Sequence, residues 1–88
     1  MSCYIITYDL MRPGKDYSSL IQAIKSYGTW GKITESCWAI VSTSSASAIR
    51  DFLSQHIDIN DRLFVIKSGG EAAWRNAIAS TDWLKRNL

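Results

Sequence analysis

"YIITYDLMRPGKDYSSL", residues 4–20, runs from an apolar, β-branched and aromatic stretch into a loop carrying Arg12, Pro13, Gly14 and Lys15, with Asp9 at the junction. The run predicts a strand over residues 3–8. Alternation puts Cys3, Ile5, Thr7 and Asp9 on one side and Tyr4, Ile6 and Tyr8 on the other, so the strand is largely apolar on both faces. Pro13-Gly14 signals a turn. Beyond it Tyr17, Leu20, Ile21, Ile24 and Tyr27 recur at helical spacing, with Asp16 placed to cap the start and Gly28 the end.

Further along, "TWGKITESCWAIVST" predicts two strands, over residues 29–34 and 37–43, joined by a turn at Glu35-Ser36. Ser44 or Ser45 offers an N-cap to a second helix striped by Ile49, Phe52, Leu53 and Ile57 and ending near Ile57. Residues 58–61 read as a turn, and "LFVIK", residues 63–67, as a strand broken by Gly69-Gly70. In the tail, residues 71–88, Ser80 or Thr81 can cap a last short helix with Asp82 in its first turn and Lys85 and Arg86 in its last, the order a helix dipole favours.

The expected fold is therefore α+β, a single ferredoxin-like βαββαβ domain over residues 1–88 with a short C-terminal helical extension. Both helices would cover one face of its antiparallel sheet. An 88-residue chain has a modest core, and "CYIITY" and "LFVIK" leave apolar side chains on the other face, so a second copy is the simplest cover. The expectation is a two-fold homodimer with facing sheets.

A net charge of +2 with no run of like charges names no partner. Cys3 and Cys37 sit inside apolar runs and no signal-like segment precedes them, which predicts reduced thiols in a cytoplasmic protein. No stretch approaches the roughly 18 apolar residues of a membrane span. His56 lacks a metal or nucleophile partner at useful spacing, and residues 58–69 lack the glycine and terminal glutamate of a calcium loop. Trp30, Trp38, Trp74 and Trp83 are expected in core or dimer contacts, since the sequence has no RNA-recognition aromatic motif.

That leaves Asp9, with two open readings: a turn residue at a strand end, or a metal ligand. One carboxylate alone holds Mg²⁺ or Mn²⁺ poorly, but a two-fold copy supplies a second, leaving positions for water and a phosphate. Arg12 and Lys15 on the following loop are either solvated charges or contacts to nucleic-acid phosphates.

"YIITYDL" resembles the strand-Tyr-Asp opening of the CRISPR-associated protein 2 family, and "ITESCWAIV" its second landmark, a serine followed by two apolar or aromatic residues. The pieces "YDL", "PGKDYSSLI", "YGTW", "IRDFL", "GEAAW" and "DWLK" are similar to short bacterial and phage proteins labelled SinR-like and placed near that family. No helix-turn-helix pattern accompanies that label. The resemblance implies a facing-sheet homodimer and, for some members, metal-dependent cleavage of RNA or DNA, with Asp9 as catalytic metal ligand and Ser36 in the serine position. It also implies a non-catalytic role as a duplex-holding CRISPR-associated accessory, and the mild charge and lone carboxylate fit equally a non-catalytic dimer that binds nucleic acid or a protein partner, such as a toxin-antitoxin or phage-defence component. The related virulence-associated protein D cleaves RNA. In the CRISPR-associated family the tail adds a strand to the partner's sheet, whereas residues 71–88 here read as helical and tryptophan-rich.

Overall fold

The alternation of β1 determines which side chains each face of the sheet must bury. The computed structural model describes residues 1–11 and 16–88. Its elements are β1 (Ser2–Asp9), α1 (Ser18–Lys25), β2 (Thr29–Thr34), β3 (Cys37–Ser42), α2 (Ala46–Ser54), β4 (Arg62–Lys67) and α3 (Thr81–Asn87). The strands form one four-stranded sheet in the order β2-β3-β1-β4, with every neighbouring pair antiparallel. The strand that is apolar on both sides thus occupies an interior position, between β3 and β4.

One face is closed by α1 and α2. Tyr4, Ile6 and Tyr8 of β1 join Trp38 and Ile40 of β3 in a core with Leu20, Ala23 and Ile24 from α1 and Ile49 and Leu53 from α2. The polar tips of Trp38 and Tyr8 are satisfied inside it. The Trp38 indole N–H donates to the Tyr8 hydroxyl at 3.0 Å, and that hydroxyl donates to the Glu35 carbonyl at 3.5 Å.

The ends of these helices follow local chemistry. The Asp16 carboxylate accepts the Ser18 backbone N–H at 2.8 Å, which holds its pKa below the ordinary value. Gly28, at φ 90°, turns the chain into β2 through a conformation costly for any residue with a Cβ. The Ser45 side chain caps α2 by accepting from the Ala48 N–H at 3.1 Å. This helix stops at Ser54, short of the expected Ile57, because Gln55 and His56 donate to carbonyls three residues back, tightening the last turn. Ile57 still packs against the core.

The opposite face is covered by half. Gly31, Ala39, Ile5 and Ile66 stand side by side across the four strands. Over the small Gly31–Ala39 end lies the C-terminal extension. The Ala79 and Ile78 N–H groups donate to the carbonyls of Lys32 and Ile33 at 2.8 and 3.0 Å, attaching the segment to the outer edge of β2. The Ser80 side chain then caps α3, accepting from the Trp83 N–H at 3.1 Å. The Trp83 ring packs onto Gly31 so closely that a Cβ there would lie 2.9 Å from it, and Leu84 is fully buried. Toward the β1–β4 end the cover thins: Ile5 and Ile66 border a cavity of about 320 Å³ together with Trp74, Leu84 and Leu88 of the extension, and Phe64 and Ile66 are 59% and 51% exposed.

Of the four tryptophans expected in contacts, only Trp38 is buried. Trp83 and Trp74 are half-buried in the extension, and Trp30, near the start of the edge strand β2, remains 38% exposed. Among the described residues no helix is long and apolar enough to cross a membrane.

The seat of α3 depends on the missing side chain at Gly31. Gly31→Val is expected to cost about 1–3 kcal/mol in urea unfolding through overpacking against Trp83. In the Trp83→Ala background most of that cost should vanish, a coupling of about 0.5–3 kcal/mol; additive costs would show that the two residues do not pack as described.

Candidate functional site

Because β1 alternates, Asp9 falls on the face away from α1 and α2, at the end of the strip that the extension leaves uncovered. It stands opposite Arg62 in the β1–β4 register, and the guanidinium Nη1 lies 3.7 Å from its carboxylate. Both side chains are about two-thirds exposed, at 67% for Asp9 and 71% for Arg62. An exposed pair of this geometry contributes about 0–1 kcal/mol, so it orients the carboxylate without locking it. Thr7, Asp9, Arg62 and Phe64 line a shallow depression of about 270 Å³.

Ser36 lies in the turn between β2 and β3, and its backbone carbonyl accepts the Tyr8 N–H at 3.1 Å. That bond brings Ser36 level with the residue before Asp9, so the turn carrying Ser36 and the strand end carrying Asp9 stand at one end of the sheet. Arg12 and Lys15 lie outside the described residues.

The chain on either side of residues 12–15 is fixed by a residue the sequence did not single out. The Asp61 carboxylate accepts the Met11 N–H at 2.7 Å and the Tyr17 hydroxyl at 3.0 Å, while its second oxygen accepts the Asp58 N–H at 2.8 Å. One side chain therefore ties the chain after β1, the chain before α1 and the turn before β4 together. No local pattern reveals this, since Met11 and Tyr17 are 50 and 44 residues away. Arg62 was equally hidden, because only the β1–β4 register sets it against Asp9.

A resident metal is not supported by one chain's donors alone. Among the described residues, no three His, Cys, Asp or Glu side chains cluster as a metal site. Asp9 contributes one carboxylate, with a cation already beside it. Cys3 is buried and Cys37 half-buried, and desolvation raises both thiol pKa values, the opposite of an activated nucleophile. The His56 ring packs edge-on against Phe52 at 5.6 Å between centroids, as a helix-end residue. No family model matches the chain.

The two neighbouring charged residues at this end, Asp61 and Arg62, should separate cleanly on mutation. Asp61→Ala is expected to lower stability by about 1–3 kcal/mol, because three donors lose a charged acceptor, and to speed hydrogen exchange at Met11 and Asp58. Arg62→Ala should cost less than about 1 kcal/mol. Equal costs would contradict the different roles given to these two neighbours.

Proposed function

We propose that this chain is a ferredoxin-like, CRISPR-associated protein 2-like (SinR-like) homodimer. Two copies join through the β1–β4 half of the open sheet face, and the dimer is a divalent-metal-dependent endonuclease acting on RNA or DNA. The observation that carries this reading is the position of Asp9 at the end of a strip in which exposed Phe64 and Ile66 stand beside half-buried Ile5 and Thr7. A two-fold axis through that strip gives the site the second carboxylate that one chain lacks. It also fits the facing-sheet expectation to the extension, which packs on the β2–β3 half and reaches the strip only at its Ile5–Ile66 end.

Asp9 from each copy would hold one Mg²⁺ or Mn²⁺. With metal–oxygen bonds of about 2.0–2.1 Å for Mg²⁺, the two carboxylates must approach to about 4 Å between ligating oxygens. Arg62 does not prevent this, since an exposed pair is displaced at small cost. The metal would polarise a phosphodiester and lower the pKa of an attacking water. Arg62, swung off Asp9, would meet a phosphate oxygen, and Arg12 and Lys15, which follow β1 in sequence, would add charge for the backbone. Ser36 would position the strand beside the reacting phosphate.

The Asp9–Arg62 pair itself favours a second reading. A carboxylate already neutralised by a guanidinium suits a non-catalytic dimer that binds nucleic acid or a protein partner, as a toxin-antitoxin, phage-defence or CRISPR-associated accessory.

The deciding experiment incubates labelled RNA and DNA with the protein and with Asp9→Ala, in Mg²⁺, Mn²⁺ or chelator. Expected is cleavage that chelator abolishes and that Asp9→Ala reduces at least about a hundredfold, since even outer-shell partners of a metal ligand cost about 10–100-fold. Cleavage unchanged in Asp9→Ala would overturn the assignment. Salt-sensitive binding without cleavage would support the second reading.

A further inference from the structure

On the other side of the sheet from Asp9, the outer edge of β2 gathers features that the reading above does not use. Trp30 is 38% exposed and packs on Trp38, with ring centroids 5.4 Å apart and planes inclined at 54°. Two lysines border this pair. The Lys25 ammonium sits 4.9 Å from the Trp30 ring centroid and 6.0 Å from that of Trp38, and the Lys32 ammonium is 5.6 Å from that of Trp38. These distances lie in the range where a cation is drawn to an indole face.

The same edge opens into a cleft of about 260 Å³ bordered by Trp30, Lys32, Ser80 and Trp83. Gly31 makes this possible. Lacking a side chain, it lets Trp83 come close on one face of β2 while Trp30 stands on the other, so two indoles border one opening. A cavity of about 150 Å³ accepts a benzene ring, so the cleft has room for a planar base.

We propose that this edge is a binding site for single-stranded nucleic acid, with a base stacking at the Trp30–Trp83 cleft and the flanking phosphates meeting Lys25 and Lys32. The chemistry favours that ligand. Aromatic faces accept any base, and the lysines supply the complementary charge for a backbone. Lys32 is held by the exposed Glu35 carboxylate at 3.3 Å, a weak solvent-screened pair from which a phosphate can take it.

The site is separate from Asp9. Trp30 pairs across the sheet with Ile40 and through it with Tyr4, five residues along β1 from Asp9. At about 3.4 Å per residue and 4.8 Å per strand, the two positions lie roughly 20 Å apart, and they face opposite sides. The inference deepens the nucleic-acid part of the proposed function without resting on its catalytic part.

The test is titration of full-length protein into labelled oligo-uridylate and oligo-deoxythymidylate, followed by anisotropy and tryptophan quenching in chelator, so that cleavage plays no part. Expected is salt-sensitive binding with quenching. Trp30→Ala should weaken it about 5- to 150-fold, the equivalent of losing one stacked base, while Trp30→Phe keeps most of it. Lys25→Ala and Lys32→Ala should each flatten the salt slope by about 0.7, and Lys85→Ala on α3 should leave it unchanged. Asp9→Ala should bind as the parent does, so loss of cleavage there leaves this site standing. The proposal is overturned by absence of binding, by parental affinity in Trp30→Ala, or by equal effects of Lys25→Ala and Lys85→Ala. Lys25→Glu, a surface change, gives an independent reading if Trp30→Ala folds poorly: it should weaken binding more than Lys25→Ala does, and unchanged affinity would contradict the proposal.

Discussion

Strand β1 has to be covered on both faces, and the rest of the molecule is arranged around that requirement. Tyr4, Ile6 and Tyr8 are covered by α1 and α2. On the reverse face a single short helix, α3, brings Trp83 and Leu84 over the small Gly31–Ala39 end of the sheet. Leu84 and Leu88 border a cavity with Ile5 and Ile66 rather than closing over them, and Phe64 stays exposed. Ile5, Thr7, Phe64 and Ile66 therefore form an apolar strip with less cover than its composition demands, and burial of such surface is worth roughly 25 cal/mol per Å². In the proposed dimer a second copy would supply a matching strip by symmetry.

Much of this order was legible because period-2 and period-3.6 patterns are strong here. The alternation in "CYIITY", the stripe of Leu20, Ile21 and Ile24, and the capping serines at 45 and 80 all report local physics, and the elements formed where that physics placed them. The end of α2 shifted because a few backbone hydrogen bonds in its last turn set it, not side-chain pattern. What stayed hidden depends on register. The meeting of Asp9 with Arg62, the bonds of Asp61 to Met11 and Tyr17, and the fit of Trp83 on Gly31 join residues about 44 to 53 positions apart, and no short window of sequence contains both partners. The tail's tryptophans signalled that it packs, but not that it would use half of the face expected to be free.

Asp9 was legible as a candidate and illegible as a site. Sequence placed it at a strand end, yet its chemistry is decided by what stands beside it. Within one chain that neighbour is Arg62, which makes Asp9 half of an exposed ion pair. Across an axis the neighbour would be a second carboxylate, and the same residue becomes a metal ligand. The difference between a binding module and an enzyme thus reduces to whether the β1–β4 strips of two copies meet with their Asp9 ends together.

Cross-linking of Asp9→Cys by a short bis-maleimide reads that geometry directly, with Cys37→Ser as background and Gln22→Cys on the exposed side of α1 as comparison. Expected is rapid formation of a covalent dimer from Asp9→Cys and little from Gln22→Cys. An Asp9→Cys chain that stays monomeric under the reagent, or links no faster than Gln22→Cys, would contradict the paired arrangement and leave Asp9 as a strand-end partner of Arg62.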